Sequence, residues 1–283
     1  MKTTLATNLN WDLKTQTLLI PGITETKRKV ILRDDNSLLL GVVGKDYCPV
    51  TNADLMHFVK AIVRTGEFEF KGFDEINEGK IILAFLQNKN PNLKLNNCPM
   101  REYLIIGNSH DGTRPFYIGT GSSLIRCENQ FYSTLKVFKR KHTSPIRMSD
   151  IEVREIIRLY KQKKNRIYEA FDGMEHVHVH EGIVSRLIKE IHKMLHADCK
   201  QTNWQDSPSM RTLNNCIYKE MKDLGNNAFG LFNGVTWYTS HEMRNAGCDF
   251  GRMNGTANKI NQKAYRFCMQ LKNNHFKPII TLT

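Results

Sequence analysis

The fold of this chain is decided by residues 103–143, YLIIGNSHDGTRPFYIGTGSSLIRCENQFYSTLKVFKRKHT. Apolar runs at residues 103–107, 116–119 and 124–127 predict three strands. Asp111-Gly112 is a strong turn signal after the first run, and glycines after the second run predict another turn. We expect a short helix and then a cationic run to complete the stretch.

The residues before this stretch predict a sheet-rich N-terminal half with one helix. Leu55, Phe58 and Ile62 recur at helical spacing, and Asn52 can cap the helix that carries them. Apolar runs on both sides of that helix predict strands. The predicted strands are residues 29–32, 38–43, 68–73 and 80–86, the predicted helix is 52–65, and 88–97 is a predicted loop.

From Ser149 onward the apolar period changes from two residues to 3.6, which indicates helices. Ser149 and Glu152 have the spacing of a capping box, and Pro208 and Gly225 mark the start and the stop of a later helix. The predicted helices are residues 149–168, 181–196, 207–225 and 228–243, with a last one beginning near residue 256.

These patterns predict an α+β fold: a sheet-rich N-terminal half with antiparallel strands and a helix, followed by a helical C-terminal half. The 283 residues suffice for one large domain or for two. We predict an N-terminal extension at 1–27, a mixed α+β domain at 28–148 and a helical region at 149–283, either separate or packed on the same core.

Composition excludes several classes of protein. A hydrophobic share of 40% is typical of a globular protein. No run approaches the roughly 20 apolar residues of a membrane-spanning helix, and the N-terminus lacks a secretory signal pattern. The seven cysteines are scattered without a CxxC pair, so neither a disulfide framework nor a zinc knuckle is indicated. We expect a cytoplasmic protein with free thiols, no membrane contact and no cofactor.

Charge points to a polyanionic partner. Lysine and arginine number 41 against 28 acidic residues, a net charge of +13. A basic surface binds nucleic acid because each neutralised phosphate releases condensed counterions. Solubility alone is the competing explanation.

The cations are concentrated where sheet is expected to give way to helix. Phosphate-binding cations with interleaved aromatic rings are typical of single-stranded nucleic-acid sites; the alternative is a solvated helix face beside core aromatic residues. We expect Arg126 in the floor of such a groove and Tyr132 and Phe138 as stacking residues. The predicted phosphate-binding residues are Lys136, Lys139, Arg140, Lys141, Arg147, Arg154 and Arg158.

The same stretch contains candidate catalytic residues. A thiol nucleophile needs a base and an orienting partner within hydrogen-bond reach, and Cys127 could find them in His110, Asp111 and His142. The alternative is structural: a turn at Asp111, a strand face filled by Cys127 and a loop capped by His142. No known nucleophile motif surrounds Cys127.

Two histidines on the second predicted helix are weak candidates for a metal site. His192 and His196 are four residues apart and share a helix face. Lysine follows His192, so the pair lacks the glutamate of the HExxH motif. Surface histidines are the commoner explanation, and no metal is expected.

Several motifs together resemble a known family. They are Asn108-Ser109-His110-Asp111-Gly112, Arg126-Cys127-Glu128-Asn129, Lys141-His142-Thr143, the segments 40–52 and 229–238 with His241, and 251–264. In this order they are similar to the phage/plasmid-like protein family, domain of unknown function 932. The chain departs from the family pattern at Glu128, Gly234 and Trp237. The resemblance implies a role on the DNA of a mobile element in a bacterial host cytoplasm.

The leading hypothesis is a phage or plasmid protein that binds or anneals single-stranded DNA during replication or recombination. It is expected to form homo-oligomers, by analogy with annealing proteins, and to bind nucleic acid rather than to act as an enzyme. The rival is a metal-dependent nuclease or a hydrolase centred on Cys127. A third reading is a non-enzymatic protein that blocks a host defence.

Overall fold

The computed structural model of the protein describes residues 8–22, 26–90, 94–95, 98–124, 130–196, 207–243 and 255–275. Its strands are β1 (Leu13–Thr17), β2 (Arg28–Arg33), β3 (Leu39–Gly44), β4 (Phe68–Ile76), β5 (Ile81–Asn88), β6 (Lys94–Leu95), β7 (Cys98–Ser109), β8 (Phe116–Leu124) and β9 (Gln130–Arg140). Its helices are α1 (Asn52–Val63), α2 (Asp150–Glu175), α3 (Glu181–Leu195), α4 (Pro208–Leu224), α5 (Ala228–Trp237) and α6 (Thr256–His275), with a π-helical turn at Tyr238–Glu242.

The strands form two antiparallel sheets. The small sheet has the order β1-β2-β3, and the large sheet has the order β4-β5-β7-β8-β9, with β6 paired to one end of β7. The described helices after Ser149 carry no strand between them. The predicted α+β class, with its sheet-rich N-terminal half and helical C-terminal half, is therefore confirmed.

The first hydrophobic core is shared by both sheets, α1 and the beginning of α2. Along β5, Ile82 and Leu86 point into this core, while Leu83 and Phe85 pack into a smaller cluster on the other face of the strand. Both faces of β5 are therefore buried, which explains its uninterrupted apolar run. Trp11, just before β1, also packs into the first core.

Helix α2 joins this core to the second one. Its N-terminus is fixed by the predicted capping box between Ser149 and Glu152. Val153 and Ile157 in its first half belong to the first core, and Phe171 in its second half belongs to the core of the C-terminal helices. The helix is 26 residues long and extends to Glu175, beyond the predicted end at residue 168.

The second core surrounds α5, whose residues are buried on nearly every side. Two glycines allow α4 and α5 to approach closely. A Cβ on Gly234 would lie 2.3 Å from the Cα of Ile217, and one on Gly230 would lie 2.5 Å from the carbonyl oxygen of Gly225. Among the described helices, none is long and apolar enough to cross a membrane.

Two local predictions in the N-terminal half are wrong. The turn expected at Gly119 and Gly121 is instead part of a continuous β8, which bends at a bulge between Ile118 and Thr120. The short helix expected before the cationic run is strand β9. Strand β1 lies within residues 1–27, where no strand was predicted; its side chains after Leu13 are exposed, so no apolar alternation marks it.

Candidate functional site

The candidate site is a buried polar cluster at the end of β7, where the motif Asn108-Ser109-His110-Asp111 begins the turn to β8. Asn108, Ser109 and His110 are 1%, 0% and 0% exposed. Buried polar groups are costly unless they are hydrogen-bonded. Tyr47 and Val50 from the loop after β3 and Asn52 from α1 supply hydrogen-bond partners for this cluster.

His110 lies at the centre of the cluster and is neutral. Its Nε2 is 3.1 Å from the Oδ1 of Asn52, and its Nδ1 is 3.5 Å from the Nδ2 of Asn108. This pattern fits one tautomer, in which Nε2–H donates to the Asn52 oxygen and Nδ1 accepts from Asn108. Burial, and then the nearby His142, lowers the pKa of His110 to about 3, while Asp111 opposes the shift.

Asn52 connects His110 to the N-terminal segment. Its Nδ2 donates to the carbonyl of Trp11 over 2.9 Å, and the Trp11 ring meets the His110 ring edge-on, with 5.7 Å between centroids. The carboxylate of Asp12 accepts the backbone N–H groups of Asn52 and Ala53. Asn52 was expected to cap α1, but it is the first helical residue, and the cap is Thr51. Because Thr51 caps the helix, the side-chain oxygen of Asn52 can accept the hydrogen bond from His110.

Asp111 shapes the turn between β7 and β8. Its Oδ1 accepts the hydroxyls of Ser109 and Thr113, each over 2.6 Å. Burial opposes ionisation, but these hydrogen bonds prevail and lower the pKa of Asp111. The backbone of Asp111 also lies against Gly41 of β3, where an added Cβ would be 2.6 Å from the Asp111 Cα. One oxygen of the ionised carboxylate is therefore engaged in the turn.

His142 joins the segment after β9 to the loop after β3. Its carbonyl accepts the N–H of Cys48 over 2.7 Å, and its Nδ1 lies 3.2 Å from the Cys48 carbonyl oxygen. The ring stacks on Tyr47, whose hydroxyl donates to the carbonyl of Ser109 over 2.7 Å. Burial lowers the pKa of His142, although the Cys48 carbonyl opposes the shift. Its Nε2 is buried and has no partner among the described residues.

Basic residues lie on both sides of this junction. Lys141 directly precedes His142, and Lys45 lies three residues before Cys48. The N–H of Lys45 donates to the carbonyl of Lys27 over 3.2 Å, which brings the start of β2 to the same place. We use the term cationic rim for Lys27, Arg28, Lys45, Lys141 and Arg147.

All five side chains of the cationic rim are exposed. None forms an ion pair within the described part of the chain. Asp46, next to Lys45, and Asp150, three residues after Arg147, are exposed acids, and Oδ1 of Asp111 accepts hydrogen bonds within its own turn. The exposed cations of the rim therefore come from two parts of the sequence, residues 27–45 and 141–147, which the hydrogen bond between Cys48 and His142 joins.

Comparison with protein families identifies one family to which the chain is similar. Residues 39–267 match the family described as domain of unknown function DUF932. The chain belongs to the DUF932 family. Among the curated proteins and among the solved structures, the chain has no match. The matched residues include Tyr47, Asn52, His110 and His142, so these members of the buried polar cluster lie within the DUF932 region.

Several predicted nucleic-acid residues of this DUF932 chain are engaged in internal contacts. Arg140 pairs with Glu152 and lies over the ring of Phe138, with 4.5 Å from the guanidinium carbon to the ring centroid. Phe138 in turn meets Phe116 edge-on in the first core. Arg158 pairs with Glu155 on the same helix.

The remaining predicted residues are distributed as follows. Lys139, Lys141, Arg147 and Arg154 are exposed. Tyr132 and Lys136 belong to β9, but their side chains are not among those described. Arg126 and Cys127 lie outside the described residues. Of the catalytic candidates, His110, Asp111 and His142 do come together, whereas Cys127 stays untested.

The rings of the paired histidines of α3 lie close together, with 37° between their planes. The rings of His192 and His196 have centroids 4.7 Å apart. The described residues contain no group of three or more His, Cys, Asp or Glu side chains that could hold a metal ion. A further ligand for the pair would have to come from elsewhere.

Sequence reasoning missed the residues that complete the cluster. Tyr47, Asn52 and Trp11 were not proposed as site residues, and Lys27, Arg28 and Lys45 were not proposed as cations of a binding surface. Tyr47 lay within a segment that resembles the family, so a signal for it existed. Trp11 is outside the matched residues 39–267, and no signal marked it.

Proposed function

We propose that the protein binds nucleic acid through the cationic rim, with single-stranded DNA as the preferred ligand. The supporting observation is the junction of His142 with Tyr47 and Cys48, which joins the segment that carries Lys141 to the loop that carries Lys45. Unpaired, exposed cations from several segments form the kind of surface that follows a phosphodiester backbone.

The binding contribution of each cation follows from its surroundings. Arg140, Arg158 and Lys161 already have carboxylate partners, so a phosphate would have to displace an acid to reach them. Lys45 and Lys141 have no such competitor among the described residues, and each neutralised phosphate would release counterions. The rim should therefore supply most of the salt-dependent affinity.

The biological setting of this activity is also part of the proposal. DNA binding by a cytoplasmic phage or plasmid protein, in replication, recombination or strand annealing, is consistent with the charge and with the resemblance described above. Annealing needs many protomers along one strand, so we include a homo-oligomer. No feature of the described residues favours the metal-dependent nuclease or the hydrolase.

Fluorescence anisotropy with labelled single-stranded and duplex oligonucleotides tests the proposal. Affinity should fall steeply with salt, and Lys45→Glu and Lys141→Glu should each weaken binding about tenfold at low salt and reduce the salt slope by about 1. Lys222→Glu on the exposed face of α4 is the matched control and should change affinity little.

Indifference of binding to salt, or equal effects of the rim and control variants, would overturn the assignment. Tighter binding of duplex than of single strands would contradict the single-strand preference alone. Sedimentation with and without DNA separately tests whether the protein forms oligomers.

A further inference from the structure

A cleft of about 580 Å³ lies between the segment before β1 and the outer face of α1. This volume is within the range of about 300–1,000 Å³ that small-molecule sites occupy. Leu9, Met56 and Phe73 contribute apolar surface to its lining. The cleft is separate from the cationic rim, because none of the five rim residues lines it.

The polar lining of the cleft has unused hydrogen-bonding capacity. The carboxamides of Asn8 and Asn10 and the side chains of His57 and Lys60 have no hydrogen-bond or ion-pair partner among the described residues. His57 and Lys60 are three residues apart on α1, so they lie on the same helix face. Together they can bind one anionic group.

The two acids of the cleft, unlike these residues, already accept hydrogen bonds from backbone N–H groups. Both oxygens of Asp12 are already engaged, because its carboxylate accepts the backbone N–H groups of Leu13, Asn52 and Ala53. Asp34 accepts the N–H of Asp12 through Oδ1 and is exposed, which leaves its second oxygen for a hydroxyl donor. The cleft therefore combines a cationic site, an apolar surface with free amides, and one acceptor for a hydroxyl.

We infer that this cleft binds a nucleotide unit. The base would lie on the apolar surface, with its polar edge on the carboxamides of Asn8 and Asn10, since amide side chains can both donate to and accept from a base edge. The phosphate would bind between His57 and Lys60, and a sugar hydroxyl would donate to Asp34. The choice of a nucleotide rests on the proposed nucleic-acid function.

The buried polar cluster gives the cleft its shape. Asn52 and Trp11 line the cleft, and both contact His110 from the other side. His110 is thus a positioning residue, since it holds two lining residues without being exposed itself. This arrangement links the Asn108–Asp111 motif to a ligand site that the motif does not touch directly.

Calorimetric titration of the full chain with deoxyadenosine 5′-monophosphate tests the inference. We expect Lys60→Ala and His57→Ala to weaken its binding at least fivefold while the weaker binding of deoxyadenosine, which lacks the phosphate, is unchanged. Both residues are exposed on α1, so the variants should fold. Ribose 5-phosphate, which lacks the base, should bind more weakly than the nucleotide.

Lys45→Ala in the rim is the matched control, because it should weaken oligonucleotide binding without changing mononucleotide binding. Oligonucleotide binding without detectable mononucleotide binding at millimolar concentration would overturn the cleft assignment and leave the rim proposal standing. Mononucleotide binding that is unaffected by Lys60→Ala and His57→Ala would also overturn it. Displacement of the mononucleotide by a 5′-phosphorylated oligonucleotide would identify a strand end as the ligand, and lack of displacement a free nucleotide.

Discussion

The imidazole of His142 stacks on the phenol ring of Tyr47, with 4.8 Å between the ring centroids and 28° between the planes. The Tyr47 hydroxyl donates to the carbonyl of Ser109 at the end of β7. A single side chain therefore connects the loop after β3, the end of β7 and the segment after β9. The position of the cationic rim depends on this connection.

Substitution of Tyr47 should separate the two parts of this connection. Tyr47→Phe keeps the ring stack and loses the hydrogen bond to Ser109, so the free energy of unfolding should fall by about 1 kcal/mol. Tyr47→Leu loses both, and a fall of about 2–3 kcal/mol is expected. Urea denaturation measures both values. Equal losses in the two variants would show that the stack contributes nothing.

Stability should decrease in mild acid because of His110. An unfolded histidine binds a proton near pH 6.5, whereas burial lowers the pKa of His110 in the folded protein to about 3. Between these values the unfolded chain holds the extra proton. The contribution of His110 to the free energy of unfolding is therefore fully present above pH 6.5 and is lost as the pH falls toward 3. The free energy of unfolding should drop by about 2 kcal/mol between pH 7 and pH 5.

The control for this pH dependence is the variant that lacks the buried imidazole. His110→Gln should be less stable at pH 8 but should have a flatter pH profile, because the group that resists protonation is gone. Denaturation midpoints that are the same at pH 7 and pH 5 in the unsubstituted protein would contradict the prediction.

Two glycines of β3 form a matched pair for a test of close packing. A Cβ on Gly41 would lie 2.6 Å from the Cα of Asp111, whereas a Cβ on Gly44 would meet nothing within 4 Å. Gly41→Ala should therefore lower the free energy of unfolding by about 1–3 kcal/mol, as overpacking does, while Gly44→Ala should be close to neutral. Thermal unfolding of the two variants, measured side by side, checks this difference.

The contact between α4 and α5 in the second core allows a similar test of close packing. A Cβ on Gly234 would lie 2.3 Å from the Cα of Ile217, and a backbone atom cannot move aside as a side chain can. Gly234→Ala should therefore destabilise the protein by about 1–3 kcal/mol. Gly182→Ala at the exposed start of α3, where the neighbouring atoms belong to the His180 side chain, should change stability by less than about 1 kcal/mol. Similar losses in both variants would refute the packing argument.

Much of the helical half could be predicted from local signals. Pro208 begins α4 and Gly225 follows its last residue, as expected, because helix ends are governed by nearby residues. Strand β9 was harder to predict from the sequence. It is a strand because it pairs with β8, for example Tyr117 with Lys139, and no local signal in the sequence encodes that pairing. Strand β1 was missed because an exposed edge strand needs no apolar alternation.

The candidate site was predicted in part for a related reason. His110 and Asp111 are neighbours in sequence, and the strand pattern placed them near His142. Their decisive partners are remote: Asn52 and His110 are 58 residues apart, and Tyr47 and Ser109 are 62 residues apart. Contacts of this separation follow from the packing of whole elements, so the periodicity of one sequence does not specify them.

The continuity of α2 makes the apparent border at residue 149 unsuitable for dividing the protein. A fragment that ends before Ser149 would lack Val153, Ile157 and Tyr160, and its core would be open to water along one side. In the complementary fragment the same residues would form an exposed apolar surface, which would promote aggregation. Each half of the chain thus covers apolar surface of the other, and we expect neither half to fold stably by itself.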